Sequence, residues 1–287
     1  MVELRPVDHR SIYAAFLEAF ADYSMGAPTD LTEERLLLRL KKNAVDFDLS
    51  VAACADGRLV GFTLIGVDTW GGRPTAFDAG TGIVPAFRGQ GLARRMFDHA
   101  LPALRERGVE QFTLELLQKN EPAFKAYRKA GFATSRELRS FAAHAPAVAC
   151  TGGTTSRWSL RPIEIAQFED VAGECDWLAS FENRISAVRA IAGDVALWGA
   201  FDGADCIGAV AYSPPLRWLL SLVVRRSHRR RGAGRALLAH AATFIPAGVT
   251  RLVALNVDGA DAGMQTFLAR LGFSPYVDQY EMTRPVT

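Results

Sequence analysis

The chain has 287 residues, of which 49% are hydrophobic, so it is long enough to form two domains of ordinary size, each with its own core. Its net charge of only +2 does not predict a nucleic-acid partner. The four cysteines form no C-x-x-C pair and the five histidines show no metal-ligand spacing, which argues against a structural zinc site. The sequence shows no signal-peptide core and no apolar run long enough to span a membrane, so we expect a soluble cytoplasmic protein without a metal or a membrane partner.

Strands and helices are predicted to alternate through the first half of the chain. The turn Asp56-Gly57 between two apolar runs is a strong hairpin signal. Gly80 and Gly82 lie inside a predicted strand and indicate a bulge or a close approach of the backbone. Pro102 is expected to kink or shorten the third predicted helix. The predicted strands are 2–7, 49–55, 59–70, 75–84, 111–117 and 136–142, and the predicted helices are 11–20, 32–42, 92–107 and 121–129.

The second half repeats this order after a segment rich in Ala, Pro, Gly and Thr, residues 144–156, which is predicted to be a linker. The turn Asp202-Gly203 echoes the hairpin of the first half. The alternation predicts an α/β fold with a mixed sheet in each half, that is, an N-terminal domain 1–143 and a C-terminal domain 157–287. The predicted strands are 158–163, 196–201, 206–212, 216–224 and 251–257, and the predicted helices are 181–191, 235–244 and 261–271.

A glycine-rich basic turn, Arg88-Gly89-Gln90-Gly91-Leu92-Ala93, joins a predicted strand to a predicted helix. The first N–H groups of a helix have no partner within the helix, and the helix dipole favours negative charge beside them. Glycines without a Cβ allow a phosphate to approach the main chain. The turn therefore predicts a binding site for a phosphate or another anion.

The same turn returns 141 residues later, at Arg229-Arg230-Arg231-Gly232-Ala233-Gly234. It again follows an apolar run and again opens a predicted helix. At the same offset Gly272-Phe273 repeats Gly131-Phe132. A repeat with so long a period indicates two copies of one domain rather than a solenoid.

Together these residues resemble the GNAT superfamily of acyl-CoA-dependent N-acetyltransferases. The turn at 88–93 fits the family signature Arg/Gln-x-x-Gly-x-Gly/Ala, and a second family block follows in order. The second half fits the family in the first motif and in Leu271-Gly272-Phe273, and its middle fits less well. The resemblance implies two tandem GNAT-like acyl-CoA N-acyltransferase domains. The residues of the second block are Leu114, Glu115, Leu116, Asn120, Ala123, Tyr127, Gly131 and Phe132.

The resemblance also implies how the first half would bind its coenzyme. Acetyl-CoA is expected in a wedge between strands 75–84 and 111–117, with the diphosphate on the N–H groups of the glycine-rich turn. Backbone groups of the fourth strand are expected to hold the pantetheine arm and the thioester oxygen. No metal is implied. The residues expected to bind the coenzyme are Ile83, Val84, Arg88, Gly89, Gln90, Gly91, Leu92, Ala93, Asn120 and Ala123.

The implied reaction is direct transfer of an acetyl group from acetyl-CoA to a primary amine. Tyr127 is the candidate general acid, because a phenol beside the sulfur can return a proton to the CoA thiolate. Asp78 on the fourth strand and Glu115 on the fifth are both candidates for the base that takes the amine proton. The acceptor is expected to be a small-molecule or peptide amine, and the chain a monomer or a homodimer. In the family, the segment joining the first two helices, here 25–28, often forms one wall of the acceptor site, and the weak candidates for contacts there are Phe16, Tyr23 and Trp70.

The second half departs from the family pattern, because Leu268 stands at the position of Tyr127. We therefore expect a degenerate copy. Two alternatives stay open: an activity like that of mycothiol synthase with the C-terminal half catalytic, or a non-catalytic CoA-binding or interaction module. Five arginines within 225–231 resemble a nucleic-acid patch, but no aromatic residue interleaves them and they stand where the family binds CoA phosphates.

Overall fold

A computed structural model describes residues 2–21, 31–150 and 157–286 of the chain. The expected wall at 25–28, Tyr23 and the end of the expected linker lie outside the described residues. The chain forms two compact units. Unit 1 comprises Met1–Arg136 together with Tyr280–Thr287, and unit 2 comprises Glu137–Gln279.

The elements of the first half follow the predicted order closely. Thr32 caps the second helix by accepting a hydrogen bond from the Arg35 N–H at 3.3 Å. The third helix continues through Pro102 to Glu106. The elements are β1 (Val2–Pro6), α1 (Ile12–Ala19), α2 (Glu33–Lys42), β2 (Val51–Ala55), β3 (Arg58–Trp70), β4 (Arg73–Ile83), α3 (Leu92–Glu106), β5 (Gln111–Leu117), α4 (Glu121–Lys129) and β6 (Ala133–His144).

The second half repeats this order with two helices that the sequence did not predict. They are α5, which lies inside the expected linker, and α6, whose N-terminus carries a capping box formed by Glu164 and Gln167. The elements are α5 (Ala145–Cys150), β7 (Ser159–Pro162), α6 (Ile165–Ala172), α7 (Ile185–Ala190), β8 (Ala196–Asp202), β9 (Asp205–Ser213), β10 (Trp218–Val224), α8 (Ala233–Ala241), β11 (Arg251–Asp258), α9 (Ala262–Arg270) and β12 (Ser274–Pro285).

In unit 1 the strands lie in the order β1-β2-β3-β4-β5-β12. Neighbours from β1 to β4 are antiparallel, and β4 and β5 are parallel. One face of this sheet packs on α3 and α4 through residues such as Phe97, Phe112 and Phe132. The other face packs on α1 and α2 through residues such as Phe16 and Phe62. The mixed sheet with helices on both faces confirms the predicted architecture.

The fourth strand contains the bulge that its glycines indicated. Leu64 pairs with Gly80 and Ile65 pairs with Asp78, so Ala79 is the extra residue. The backbone at Gly82 also passes close to a side chain, because a Cβ there would lie 2.5 Å from the ring of Phe62. The bulge changes the direction of β4 where it leaves β5.

In unit 2 the strands lie in the order β6-β11-β10-β9-β8-β7. The strands β10 and β11 are parallel, as β4 and β5 are in unit 1. Leu219 pairs with Tyr212 and Ser221 pairs with Ala211, so Leu220 is the extra residue of a second bulge. Leu220 stands 141 residues after Ala79, which places the two bulges at equivalent positions.

Each unit contains a strand segment from the other half of the sequence, namely residues 280–285 of β12 in unit 1 and residues 137–144 of β6 in unit 2. The expected division gave residues 137–143 to the first domain and residues 280–287 to the second, whereas the compact units assign them the other way round. The expected linker also begins differently, because Ala145 and Val148 of α5 are buried in the core of unit 2.

Candidate active site

A wedge opens between β4 and β5 in unit 1. The parallel pairing runs from Thr75 opposite Gln111 to Asp78 opposite Leu114. Both strands continue beyond this point, β4 to Ile83 and β5 to Leu117, but within these fully described segments the paired register ends at Asp78. Beyond Asp78 the two strands no longer pair in this register, an arrangement into which an extended ligand can insert as an added strand.

The glycine-rich turn lies at the end of this wedge and opens α3. Gly89 and Gly91 have φ angles of +77° and +72°, a left-handed conformation that residues with a Cβ rarely adopt. Gly91 is the N-cap and provides no capping side chain, so the first N–H groups of α3 need partners from outside the helix. This arrangement suits a diphosphate, as the sequence predicted.

Arg88 points back into unit 1. Its Nε donates to the carbonyl oxygen of Ile83 at 3.1 Å, and its Nη2 donates to the carbonyl oxygen of Ala19 at 3.0 Å. These bonds tie the turn to the end of β4 and to the end of α1. The observed contacts support a role in fixing the turn, and a bond from Arg88 to the diphosphate stays a prediction.

The two residues expected to hold the pantetheine arm differ in what their backbones do. The N–H of Val84 donates to the carbonyl oxygen of Val60 at 3.0 Å, and its carbonyl accepts from Phe87 at 2.9 Å. Because backbone groups alternate in direction along a strand, the N–H of Ile83 points to the β5 side. Of the two residues, Ile83 is therefore the one whose N–H is expected to contact the thioester oxygen.

Tyr127 and Asp78, which were predicted as catalytic on separate grounds, form a hydrogen bond. The Tyr127 hydroxyl donates to Oδ2 of Asp78 at 3.0 Å. The phenol ring packs between Phe97 and Phe132, with ring centroids 5.7 and 5.8 Å away. This packing holds the hydroxyl over the last paired residue of β4, at the mouth of the wedge.

Asp78 is a buried carboxylate, only 6% exposed. Its Oδ1 accepts from the Gly80 N–H at 3.0 Å, and the Thr81 hydroxyl lies 2.9 Å from Oδ2. Burial raises the pKa of Asp78 from 3.8 to about 6, and the hydrogen bonds from Thr81, Tyr127 and Gly80 partly oppose that rise. The Thr81 hydroxyl lies 3.0 Å from that of Thr63 on β3. The sequence gave no signal for either threonine, because their roles depend on the bulge.

Glu115, the other candidate base, lies on the opposite face of the sheet. Leu114 and Leu116 point into the core beneath α3, so the side chain between them points the other way. Asp78 shares its face with Leu114, its partner in the parallel register. Glu115 is half-buried. The structure therefore brings Asp78 and Tyr127 together and separates Glu115 from them.

Asn120 caps α4, the helix that carries Tyr127. Its Oδ1 accepts from the Ala123 N–H at 3.2 Å. The cap fixes where α4 begins and so where Tyr127 falls along it. Two weaker sequence candidates for acceptor contacts, Phe16 and Trp70, are each 7% exposed and contribute to the packing of unit 1.

Unit 2 keeps the framework of this site and replaces its polar groups. Gly232 is again a left-handed N-cap, with φ of +92°, and Asp261 caps α9 as Asn120 caps α4. At the 141-residue offset, the positions of Asp78, Thr81 and Tyr127 are occupied by Leu219, Leu222 and Leu268. These leucines line a pocket of about 120 Å³ between β10 and β11.

Three of the five arginines in the run of unit 2 form ion pairs within the unit. Arg225 forms ion pairs with Asp170 and Glu174, and both Arg226 and Arg229 pair with Asp176. These arginines hold the pKa values of Glu174 and Asp176 below their usual ranges. The pairs compete with any phosphate of a nucleic acid.

The two sites have the same arrangement: parallel strands that part after a bulge, then a left-handed glycine that opens a helix. This arrangement defines a tandem acyltransferase fold. The family described as "Acetyltransferase (GNAT) family" matches residues 10–132 and again residues 158–273. The chain therefore belongs to the GNAT family, which confirms the predicted tandem fold.

Two curated relatives carry acetyltransferase names. Streptothricin acetyltransferase of Streptomyces lavendulae is 41% identical over 83 residues, which are 29% of this chain and 43% of that protein. A mycothiol acetyltransferase of Saccharomonospora viridis is 38% identical over 89 residues, 29% of each chain. The matches thus span less than half the length of either relative.

Solved structures match over the whole chain. A tandem GNAT protein from the clavulanic acid biosynthesis pathway has a TM-score of 0.75 at 18% identity, covering 100% of this chain and 99% of that one. A GCN5-related N-acetyltransferase from Sphaerobacter thermophilus has a TM-score of 0.74 at 16% identity, covering 99% and 96%. At such identities the likeness establishes the fold alone. Across the described residues, no helix is both long and apolar enough to cross a membrane.

Proposed function

We propose that unit 1 transfers the acetyl group of acetyl-CoA directly to a primary amine. The observation that carries this proposal is the hydrogen bond between Tyr127 and Asp78 at the point where β4 and β5 part. A thioester whose diphosphate rests on the turn before α3 would extend along the wedge towards this pair. There Tyr127 would protonate the leaving thiolate.

The acceptor we propose is a small-molecule primary amine. The relative named streptothricin acetyltransferase supports this class, since it is 41% identical over the 83 matched residues. An amine attacks only as its neutral form, so a base must remove a proton during the transfer. Asp78 on β4 and Glu115 on β5 are the candidate bases, and they face opposite sides of the sheet.

The alternative in which unit 2 is the catalyst has less support. Leu219 and Leu268 occupy the positions of Asp78 and Tyr127, and neither side chain can carry a proton. The ion pairs around Arg225 and Arg229 further reduce the positive charge that a diphosphate would meet. A purely non-catalytic module is disfavoured for unit 1 because its proton-carrying side chains are intact.

The test is turnover of purified protein with acetyl-CoA and a panel of primary amines, followed by thiol release and by mass spectrometry of the product. Tyr127→Phe keeps the ring and should lower kcat by about 100-fold or more. Tyr280→Phe is the matched control, since Tyr280 packs on Phe124 of the same helix. Coenzyme binding without turnover for any amine would contradict the proposal and support a binding module.

A further inference from the structure

We propose that Tyr127 and Asp78 form one proton relay, in which Tyr127 takes the proton of the attacking amine and passes its own proton to Asp78. The inference deepens the proposed acetyltransferase function of unit 1 and rests on it. It assigns both proton transfers of the reaction to one pair of side chains. Glu115 is then not the base.

In the relay, Asp78 exchanges protons with the substrate through the Tyr127 hydroxyl, to which it is hydrogen-bonded. The carboxylate is 6% exposed, and its two oxygens accept from Tyr127, Thr81 and the Gly80 N–H. A phenol has one hydrogen and two lone pairs. Because the Tyr127 hydrogen is directed to Asp78, the lone pairs of its oxygen face away and can accept a proton from an amine.

The transfer balances without any further reactant. The neutral amine attacks the thioester carbon, and a new N–C bond forms. The nitrogen gives a proton to the Tyr127 oxygen while the Tyr127 proton moves to Asp78. The intermediate then collapses, the C–S bond breaks, and the thiolate takes a proton from Tyr127 as Asp78 returns its own. The products are an amide and free CoA thiol, and both side chains end as they began.

The environment of Asp78 suits a proton acceptor. A base works best when its pKa lies near the working pH, and burial raises the pKa of Asp78 to about 6. Thr81 from β4 and Tyr127 from α4 are the side chains that donate to it, and Tyr127 is the titratable one. From β3, Thr63 reaches Thr81, while the charged Glu115 of β5 faces the other side of the sheet.

Unit 2 provides an internal comparison. The three linked positions are replaced together, with Leu219, Leu222 and Leu268 where unit 1 has Asp78, Thr81 and Tyr127. Unit 2 therefore lacks the carboxylate, the threonine and the tyrosine together, which is consistent with a single relay in unit 1.

The experiment compares kcat for Tyr127→Phe, Asp78→Asn and the double variant at saturating acetyl-CoA and amine. Each single change should lower kcat by about 100- to 10,000-fold, and the double variant should be no slower than the slower single. Asp98→Asn, an exposed aspartate on α3, is the matched control. Additive losses would overturn the relay, and so would a larger loss in Glu115→Gln than in Asp78→Asn.

Two further readouts separate a relay from a structural role. The acid limb of the wild-type kcat/KM profile, which reports the free enzyme, should lie near pH 6 and should disappear in Asp78→Asn. In mixtures of H₂O and D₂O, kcat should follow a curved dependence because two protons move together, and a straight line would contradict the relay. If the wild type turns over no amine at all, the proposed function fails. If it turns over amines while these tests fail, only the relay is wrong.

Discussion

Replacing Asp78 by asparagine should stabilise unit 1 at neutral and alkaline pH while it inactivates the enzyme. Burial raises the folded-state pKa of Asp78 from 3.8 to about 6. A raised pKa means that the associated stability is fully present below pH 3.8 and is lost as the pH rises through 6. At 1.36 kcal/mol per unit, ionisation of Asp78 costs about 3 kcal/mol of folding free energy by pH 8.

The asparagine of Asp78→Asn never ionises, so the variant avoids that loss. The amide has one acceptor oxygen instead of two, and a weakened hydrogen bond costs about 1 kcal/mol. The expected gain is therefore about 2 kcal/mol at pH 8, and it should vanish near pH 4. Urea unfolding across this pH range measures the difference, and hydrogen exchange of the β4 peptide 75–83 assigns it to unit 1. If the unfolding free energies of the variant and the wild type differed by the same amount at pH 4 and at pH 8, a raised pKa for Asp78 would be refuted.

Three further predictions concern the turn, the hydrogen bonds of the carboxylate and the bulged strand. Gln90→Glu should raise the KM for acetyl-CoA about 5- to 30-fold through about 1–2 kcal/mol of repulsion. Its counterpart Arg231→Glu in unit 2 should not, and equal effects would place the coenzyme in both units. Thr81→Val should raise the pKa of Asp78 further and move the acid limb of kcat/KM to higher pH, whereas Thr81→Ser should restore the limb to its wild-type position; a limb that does not move in Thr81→Val would contradict this. Gly82→Ala should destabilise unit 1 by about 1–3 kcal/mol in thermal unfolding, because the new methyl group meets an aromatic ring at 2.5 Å; an unchanged Tm argues against that packing.

The local features of the fold were readable from the sequence because each depends on a few neighbouring residues. The turn Asp56-Gly57 has φ angles of +50° and +77°, as the hairpin signal required. The left-handed Gly91 opens α3 where the glycine-rich turn predicted a helix. Residue type and short spacing determine such features.

Features that depend on distant parts of the chain were not readable. The bond between Asp78 and Tyr127 joins residues that are 49 positions apart, and it needs both the bulge and the cap on α4. The ion pair between Arg225 and Glu174 joins residues that are 51 positions apart, so the sequence gave no sign that this arginine is paired. Pro102 does not end α3, since its missing N–H and fixed φ are tolerated in a helix that is packed along its length.

The exchange of last strands between the halves of the sequence has a consequence for biosynthesis. The segment Tyr280–Thr287 belongs to unit 1, yet it leaves the ribosome only after all of unit 2 has been made. The hydroxyl of Thr113 on β5 donates to the carbonyl of Met282 at 3.1 Å, a bond that cannot form until residue 282 has been synthesised. Synthesis of unit 1 therefore begins before that of unit 2 and ends after it. A nascent chain stalled anywhere within unit 2 would carry the whole glycine-rich turn but would lack the strand that pairs with β5.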